Sequence, residues 1–526
     1  MNKVLNLILE NTIDRAHSLT FNTVLKNWLS TIDLSNIETS SRTIVFNTVR
    51  SNPKTFHLYT DLYIGHLLAR LGCRVYILLD DGALEHWDTI QRHRITAPVL
   101  NPMRSLRARR LRRNVEALWE IFKTSGLELR WYSDFIDNTP VEDIDGDVER
   151  YALASALRHF ECGVFDPEDQ NQQDYFQLSL KNAQTSKTVG HRIVDELRPD
   201  TYATSHGIYS TWGPAYSVVK NAGIPTVVYA HHPYHLGGFM LDDAPGGSLD
   251  RKALEHYLKI TEFTPRQRTV SQAYLDARYS HQTSDTMEYF GNSASAAKIL
   301  FTDPITQDQR TFGLFPNIAW DAIGDHLAPI YDSVIDWVAD TVRAIGADGK
   351  HRLIIRFHPA EVTRLKGTIS TEGLVRDKVP EIDKYPNIVI VAAKEKVNSY
   401  DLLRDIVDVA LVYTGTMGAE SQPLGVPVVS AASGRFSEQF VHIAGNRAEY
   451  LGIIKNPESI ISAFNTNRGK IIDSVLKYHF YLSDVLYFPM AIMSNEGRHI
   501  ASAKELSARY KVDEEGLKKT LRRFLA

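Results

Sequence analysis

The chain has 526 residues, 43% hydrophobic and 23% charged, with a formal net charge of −4. That length exceeds one ordinary core and predicts at least two domains, while the slightly acidic balance excludes a dedicated nucleic-acid binder. The two cysteines, Cys73 and Cys162, exclude a disulfide framework and a cysteine-based zinc site.

The opening run MNKVLNLILENTIDRAHS is interrupted by Glu10 and Asp14, which makes it a poor signal peptide, and no uncharged apolar run approaches the length of a membrane span. The expectation is a cytoplasmic protein, with any membrane contact peripheral and at the inner face. Strand-like runs alternate with helical stretches, which predicts α/β layers on parallel sheets. RTIVFNT (Arg42 to Thr48) reads as a strand, TFHLYTDLYIGHLLARLG as an amphipathic helix stopped by Gly72, and CRVYILLDDG (Cys73 to Gly82) as a second strand ending in two carboxylates.

A mostly helical, polar region follows. Within it, RSLRARRLRR (Arg104 to Arg113) carries six arginines in ten residues, with Leu106, Leu111, Val115 and Leu118 on one helical side. Arg109 and Arg110 on the opposite side suit an acidic glycan acceptor or anionic lipid head groups; a solvated face paired with neighbouring acids is the ordinary alternative. Then come DTYATSHG (Asp200 to Gly207), a helix through WGPAYSVVKNAG, and the strand IPTVVYAHH (Ile224 to His232), completing one doubly wound unit with an insertion. The stretch from Asp242 to Asn292 reads as a polar, irregular connection.

A second unit is predicted from the strands KILFTDP (Lys298 to Pro304), TFGLFPN (Thr311 to Asn317), RLIIRFHP (Arg352 to Pro359), NIVIVAA (Asn387 to Ala393), DVALVYTG (Asp408 to Gly415) and VPVVSAA (Val426 to Ala432). LAPIYDSVIDWVADTVRAIG is the clearest helix between them. From about Pro457 the chain reads as helical to its end, with part of this tail packing back on the first domain. The expected division is 1–295, 296–465 and a tail over 466–526. In doubly wound sheets ligands sit beyond the carboxyl ends of the strands, so the polar residues there are the ones to inspect.

Three such ends stand out in the second unit. His358 and Arg356 in RFHPAE are placed to donate to a phosphoryl oxygen, with Pro359 stopping the strand; a histidine that merely caps the sheet edge is the alternative. In VYTGTMGAE the strand passes into a short helix through Thr414, Gly415 and Thr416. A helix start offers unused N–H groups to an anion, Gly415 admits close approach, the threonine hydroxyls add hydrogen bonds, and Glu420 lies one turn on, in reach of sugar hydroxyls. An ordinary turn with a Thr cap competes with that reading. Asn317 follows a third strand and either binds a donor group or closes a turn.

In the first unit His206, in SHGIY, is a candidate general base matched to neutral pH, a helix-capping histidine being the equal alternative; Asp80 and Asp81 compete, at most one of them, Asp81, serving, and a solvated strand end is the favoured reading of that pair. His231, His232 and His235 cluster after the next strand; without a partnered carboxylate pattern they read as polar residues lining a cleft, His232 among the acceptor contacts, rather than metal ligands.

A His-Pro strand end followed by TGTMGAESQPLGVPVV (Thr414 to Val429) resembles the donor half of glycosyltransferase-B (GT-B) enzymes, and is similar to the Thr-Gly-Thr, Glu, Leu-Gly-x-Pro-Val-Val run of bacterial capsule polysaccharide biosynthesis proteins, which include Kdo transferases. HHPYHLGGFMLDDAP (His231 to Pro245) resembles a first-domain segment of that family. Bacterial sialyltransferases of this fold share the His-Pro feature and use an acidic-acidic-Gly motif whose composition matches Asp80 to Gly82. The resemblance implies two doubly wound, Rossmann-like domains facing a central cleft. It further implies transfer of a sugar from a nucleotide-sugar donor, CMP-linked in preference to UDP-linked, to a surface glycan or lipid-linked glycan, with no metal or other cofactor. Under it His358, Thr414 and Thr416 contact donor phosphate and Glu420 the ribose. Transfer of glycerol phosphate from CDP-glycerol, a non-hydrolysing epimerase relative, and non-catalytic nucleotide-sugar binding remain the alternatives.

Overall fold

The structure, a computed structural model, describes residues 21–50, 56–87, 104–136, 146–232, 238–244, 249–282, 306, 308–320, 329–363, 370–494, 500–509 and 512–526. The strand expected at 298–304 lies outside them, as do His235 and Pro233. The chain divides into two compact units. The first comprises Met1–Ser155, Asp169–Gly246 and Leu486–Ala526; the second comprises Ala156–Glu168 and Gly247–Val485.

The strands in chain order begin with β1 (Thr43–Val49), β2 (Arg74–Leu79), β3 (Leu127–Trp131), β4 (Thr201–Ser205), β5 (Thr226–His231) and β6 (Gly238–Asp242). They continue with β7 (Thr311–Phe315), β8 (Arg352–Arg356), β9 (Ile388–Val391), β10 (Val409–Val412), β11 (Val428–Ser430), β12 (His442–Ile443) and β13 (Tyr487–Pro489).

The first unit holds a seven-stranded sheet in the order β13-β6-β5-β4-β1-β2-β3. Its five strands from β5 to β3 are parallel, and β6 and β13 extend the edge in antiparallel sense. The second unit holds a six-stranded, all-parallel sheet in the order β12-β11-β10-β7-β8-β9. Both sheets therefore wind outward from their first strand and then restart on its other side. Each is a Rossmann-like, doubly wound unit, with one switch point between β1 and β4 and the other between β7 and β10.

Strands covered on both faces must be apolar on both, which is why they stand out as continuous runs. VALV of β10 is wholly buried, and β7 and β8 are buried along their length. The cores follow from the same arrangement. In the first unit the helix Phe56–Arg70 lays Leu58, Leu62 and Leu67 on the face of Ile44, Phe46 and Ala203. In the second, the helix Val334–Asp348 packs Trp337, Val338 and Val342 against Phe312, Leu314 and Leu353.

Several expectations change. LELRW becomes β3 inside a region read as helical, because its alternate Leu127 and Trp131 are buried at the sheet edge. The connection read as irregular contains the helices Arg251–Ile260 and Pro265–Tyr279, capped by Asp250 and Thr264, and both belong to the second unit. The helix Glu458–Phe480 stays with that unit too, so the chain returns to the first unit at Leu486, not near residue 466. There it adds β13 to β6 and packs the helix Glu514–Leu525, whose Phe524 lies 5.3 Å from Phe46 between ring centres.

Candidate functional site

The register of the second sheet assembles one polar edge. Val412 pairs with Phe315, so two residues further on Thr414 faces Asn317 across the switch point. The Asn317 amide brackets Thr414: its Oδ1 accepts from Thr414 N–H at 3.2 Å and its Nδ2 donates to Thr414 Oγ1. The carboxyl end of β8, next to β7, carries His358. Asn317, His358 and the Thr414 turn thus sit at the ends of three adjacent strands.

His358 is half-buried, and its Nδ1 accepts from Ala360 N–H at 3.1 Å. That bond places the proton of the neutral ring on Nε2, making that nitrogen a donor. The helix after Thr416 is a single turn, Met417–Glu420. The amides of Gly418, Ala419 and Glu420 close it onto Gly415 and Thr416, and among the described residues those of Gly415, Thr416 and Met417 are not used by the backbone. Thr416 begins the turn without a side-chain cap. Among the described residues a Cβ on Gly415 would meet only Asn317 Oδ1, at an ordinary 3.5 Å, whereas one on Gly418 would fall 2.2 Å from the Phe436 ring. The protein's own packing demands glycine at 418 and leaves 415 open.

Two of the expected donor contacts are engaged elsewhere. Arg356 is buried and donates to the carbonyls of Ala392 at 2.7 Å and Glu395 at 3.0 Å, anchoring the segment after β9; burial pulls its guanidinium down to about 10. Glu420 is 1% exposed, with Arg278 Nε 2.6 Å from its Oε1 and Tyr400 donating to its Oε2 at 2.7 Å. Tyr279 donates to its carbonyl at 2.8 Å. As placed, both carboxylate oxygens tie the turn to the helices Pro265–Tyr279 and Ser399–Asp405, and a ribose would have to displace one of these partners. Arg278 and Tyr400 are invisible as partners in the sequence because 142 and 20 residues separate them from Glu420.

The first unit has its own switch-point cluster. His206 is half-buried at the end of β4, with its Nδ1 2.5 Å from Ser205 Oγ and its ring stacked on Trp212 at 6.0 Å. Opposite it, β1 bulges after Asn47, and Val49, His206 and Tyr209 all adopt left-handed backbone conformations, with φ of 61°, 60° and 70°. Such conformations are costly for residues with a Cβ, most of all for the β-branched valine, and concentrate at functional sites.

Asp81 is not gathered with this cluster. It accepts from Ser133 N–H at 3.3 Å and Ser133 Oγ at 2.7 Å, and Arg112 lies 3.6 Å away. Asp80 is buried, accepting from the amides of Gly82 and Leu84 and from Trp87 Nε1, and burial raises its carboxyl above the usual range. The pair shapes the loop after β2. His232 is 6% exposed and meets the Tyr487 ring edge-on at 5.1 Å, a packing residue of the sheet edge where a cleft-lining one was expected. Arg109 and Arg110 lie on the helix Arg104–Phe122, but their side chains are outside the described residues; Val115, Leu118 and Phe122 of that helix are buried as its spacing predicts.

What the sequence reading missed is Asp61. In FHLYTDLYIG the positions 58, 61, 62 and 65 form one helical stripe, and a carboxylate interrupts an otherwise apolar face. Asp61 is 1% exposed and accepts from Thr48 at 2.7 Å and Tyr229 at 2.5 Å. Among the described residues no group of three or more His, Cys, Asp or Glu has the geometry of a metal site. No described helix is long and apolar enough to cross a membrane.

No protein-family model matches the chain, and no curated protein matches it. Solved structures do. The Thermosulfurimonas dismutans KpsC β-Kdo 2,4 transferase is 14% identical with a TM-score of 0.32, over 53% of this chain and 78% of that one. The 2,7 transferase of the same protein is 12% identical with a TM-score of 0.33, over 59% and 85%. UDP-GlcNAc 2-epimerase from Neisseria meningitidis is 9% identical with a TM-score of 0.24, over 84% and 98%. At such scores none of these likenesses bears on activity, and the fold class stands on the two sheets themselves.

Proposed function

We propose that the protein is a glycosyltransferase that moves a sugar from a nucleotide-sugar donor, CMP-linked in preference to UDP-linked, onto a surface glycan or lipid-linked glycan. The observation that carries this reading is the bracketed turn at the second switch point. Asn317 holds Thr414, among the described residues the backbone does not use the amides of Gly415, Thr416 and Met417, and His358 ends the adjacent strand with its Nδ1 accepting from Ala360 N–H. A convergent set of N–H and O–H donors at a switch point suits a phosphate oxygen, and donors fixed in advance stabilise the charge that develops there as the sugar departs.

In the proposed reaction the bond between the anomeric carbon and the phosphate oxygen breaks, the acceptor oxygen bonds to that carbon, and His206 takes the acceptor's proton. The phosphate leaves with the bonding pair and is held by the turn. In this reading Glu420 supports the turn from behind and Arg356 anchors the segment after β9, rather than touching the donor.

The test is a thermal-shift series of the full chain with CMP, CDP, UDP and GDP. A nucleotide at a hundred times its Kd adds about 2.7 kcal/mol of apparent stability. CMP should give the largest rise, His358→Ala should lose most of it, and donor hydrolysis should follow the same nucleotide preference. No rise with any nucleotide, or an undiminished rise in His358→Ala, defeats the assignment.

A further inference from the structure

The first unit's cluster contains a carboxyl group buried in an apolar helical stripe. The helix Phe56–Arg70 runs over the sheet face that carries Ile44, Phe46, Ala203 and Tyr229, and Leu58, Leu62, Leu67 and Leu68 on it are wholly buried. Asp61 sits in that apolar stripe at the carboxyl ends of β1, β4 and β5. Its Oδ2 accepts both hydroxyls, from Thr48 and Tyr229, while its Oδ1 is buried with no hydrogen-bond partner among the described residues, as is Thr60 Oγ1 beside it. A buried carboxylate with an unsatisfied oxygen is expensive, and among the described residues no cation is paired with it.

One turn nearer the strand ends, His57 is 2% exposed and lies edge-on to the His206 ring, 6.0 Å between centres, and 6.2 Å from the Tyr229 ring. The line of groups therefore runs from the half-buried His206 through His57 to the fully buried Asp61. Among the described residues the other charge at this end is Arg50, whose guanidinium lies 4.6 Å from the centre of the Trp212 ring on which His206 stacks. A cation beside an imidazole disfavours its proton and an anion favours it. Thr48, Thr60, Ser205 and Tyr229 complete the surroundings as neutral partners.

We propose that Asp61 is a positioning residue, the buried counter-charge that keeps the His57–His206 pair basic enough to accept a proton from a ligand hydroxyl. The role of His206 as acceptor of a glycan hydroxyl proton rests on the transfer reading above; the electrostatic coupling of Asp61 to the histidines does not. Burial raises the Asp61 carboxyl to about 7 against the pull of its two hydroxyl donors.

The experiment is an NMR titration of the full chain with labelled histidine, the His206 and His57 signals among the 19 histidines being identified with His206→Gln and His57→Gln. Asp61→Asn should lower the His206 midpoint by about one pH unit, the effect of a single charge at roughly 10 Å in a protein interior. Tyr229→Phe keeps the carboxylate but removes one of its donors, leaving it less ionised at neutral pH, and should move the midpoint the same way by less. An unmoved His206 midpoint in folded Asp61→Asn overturns the proposal. If that variant does not fold, an unmoved midpoint in Tyr229→Phe overturns it equally. No substrate enters the measurement, so failure of the transfer reading would leave this outcome intact, and the reverse.

Discussion

Glu420→Gln separates the two roles open to that residue. The substitution keeps the shape and an acceptor for Tyr400 but removes the charge facing Arg278, itself only 7% exposed and 2.6 Å away. Breaking a buried pair by removing one partner costs about 3–5 kcal/mol, because the remaining ion is stranded in a poor solvent. The retained hydrogen bond to Tyr400 argues for the low end, about 3 kcal/mol. With a urea dependence of roughly 3 kcal/mol per molar for a unit of this size, the midpoint of the second unit's unfolding should fall by about 1 M. Replacing both partners, as Arg278→Met with Glu420→Met, should recover most of that loss, since an apolar pair strands no charge. Equilibrium urea unfolding by fluorescence and circular dichroism, with nucleotide binding measured below the transition, decides between the roles. If Glu420→Gln leaves the midpoint within about 0.2 M of the parent while nucleotide affinity collapses, the carboxylate is a ligand contact and the structural account is wrong.

Three further outcomes follow from the same geometry. Gly415→Ala should leave stability nearly unchanged but weaken the nucleotide-induced thermal shift, whereas Gly418→Ala, driving a Cβ into the Phe436 ring, should destabilise by about 2 kcal/mol or more; equal behaviour of the two refutes the anion turn. Asn317→Ala removes both bonds to Thr414 and should cost about 1–2 kcal/mol of stability, together with most of the nucleotide shift; a retained shift shows that Asn317 does not set the turn. Among the described residues His479 has no hydrogen-bond partner on either ring nitrogen, and burial, aided by the Arg278 cation, pushes it down to about 3. The unfolded chain takes up that proton below about 6.5 and the folded chain does not, so the contribution is complete above pH 6.5 and is lost as pH falls toward 3 at about 1.4 kcal/mol per pH unit. His479→Leu should flatten the dependence of the urea midpoint between pH 6.5 and 4.5, and an unchanged slope refutes the assignment.

The α/β class, most of the parallel strands and the strand ends worth inspecting were legible in the chain order of residues. A strand buried on both faces must be a run of Val, Ile, Leu and Ala, and such runs at Thr311, Arg352 and Asp408 are visible without coordinates. Asn317, His358 and Thr414 are visible as polar strand ends because each follows such a run, and the structure places them on three adjacent strands. Short strands with one half-buried face, such as β3, and a late strand such as β13 left no comparable signal.

Other features depend on distance along the chain. Nothing local to Glu420 announces that Arg278, contributed by a helix read as irregular connection, takes its carboxylate, nor that Arg356 turns away to two backbone carbonyls after β9. The Asp61 stripe was written in the helical spacing, yet its partners Thr48 and Tyr229 reach it only once three strands and a helix are laid together. Local pattern settles which residues are strands and which ends are polar, because those depend on propensity and burial period. Whether a polar group at such an end is left over for a ligand or consumed by the fold depends on groups brought from elsewhere in the chain, and only the folded packing supplies them.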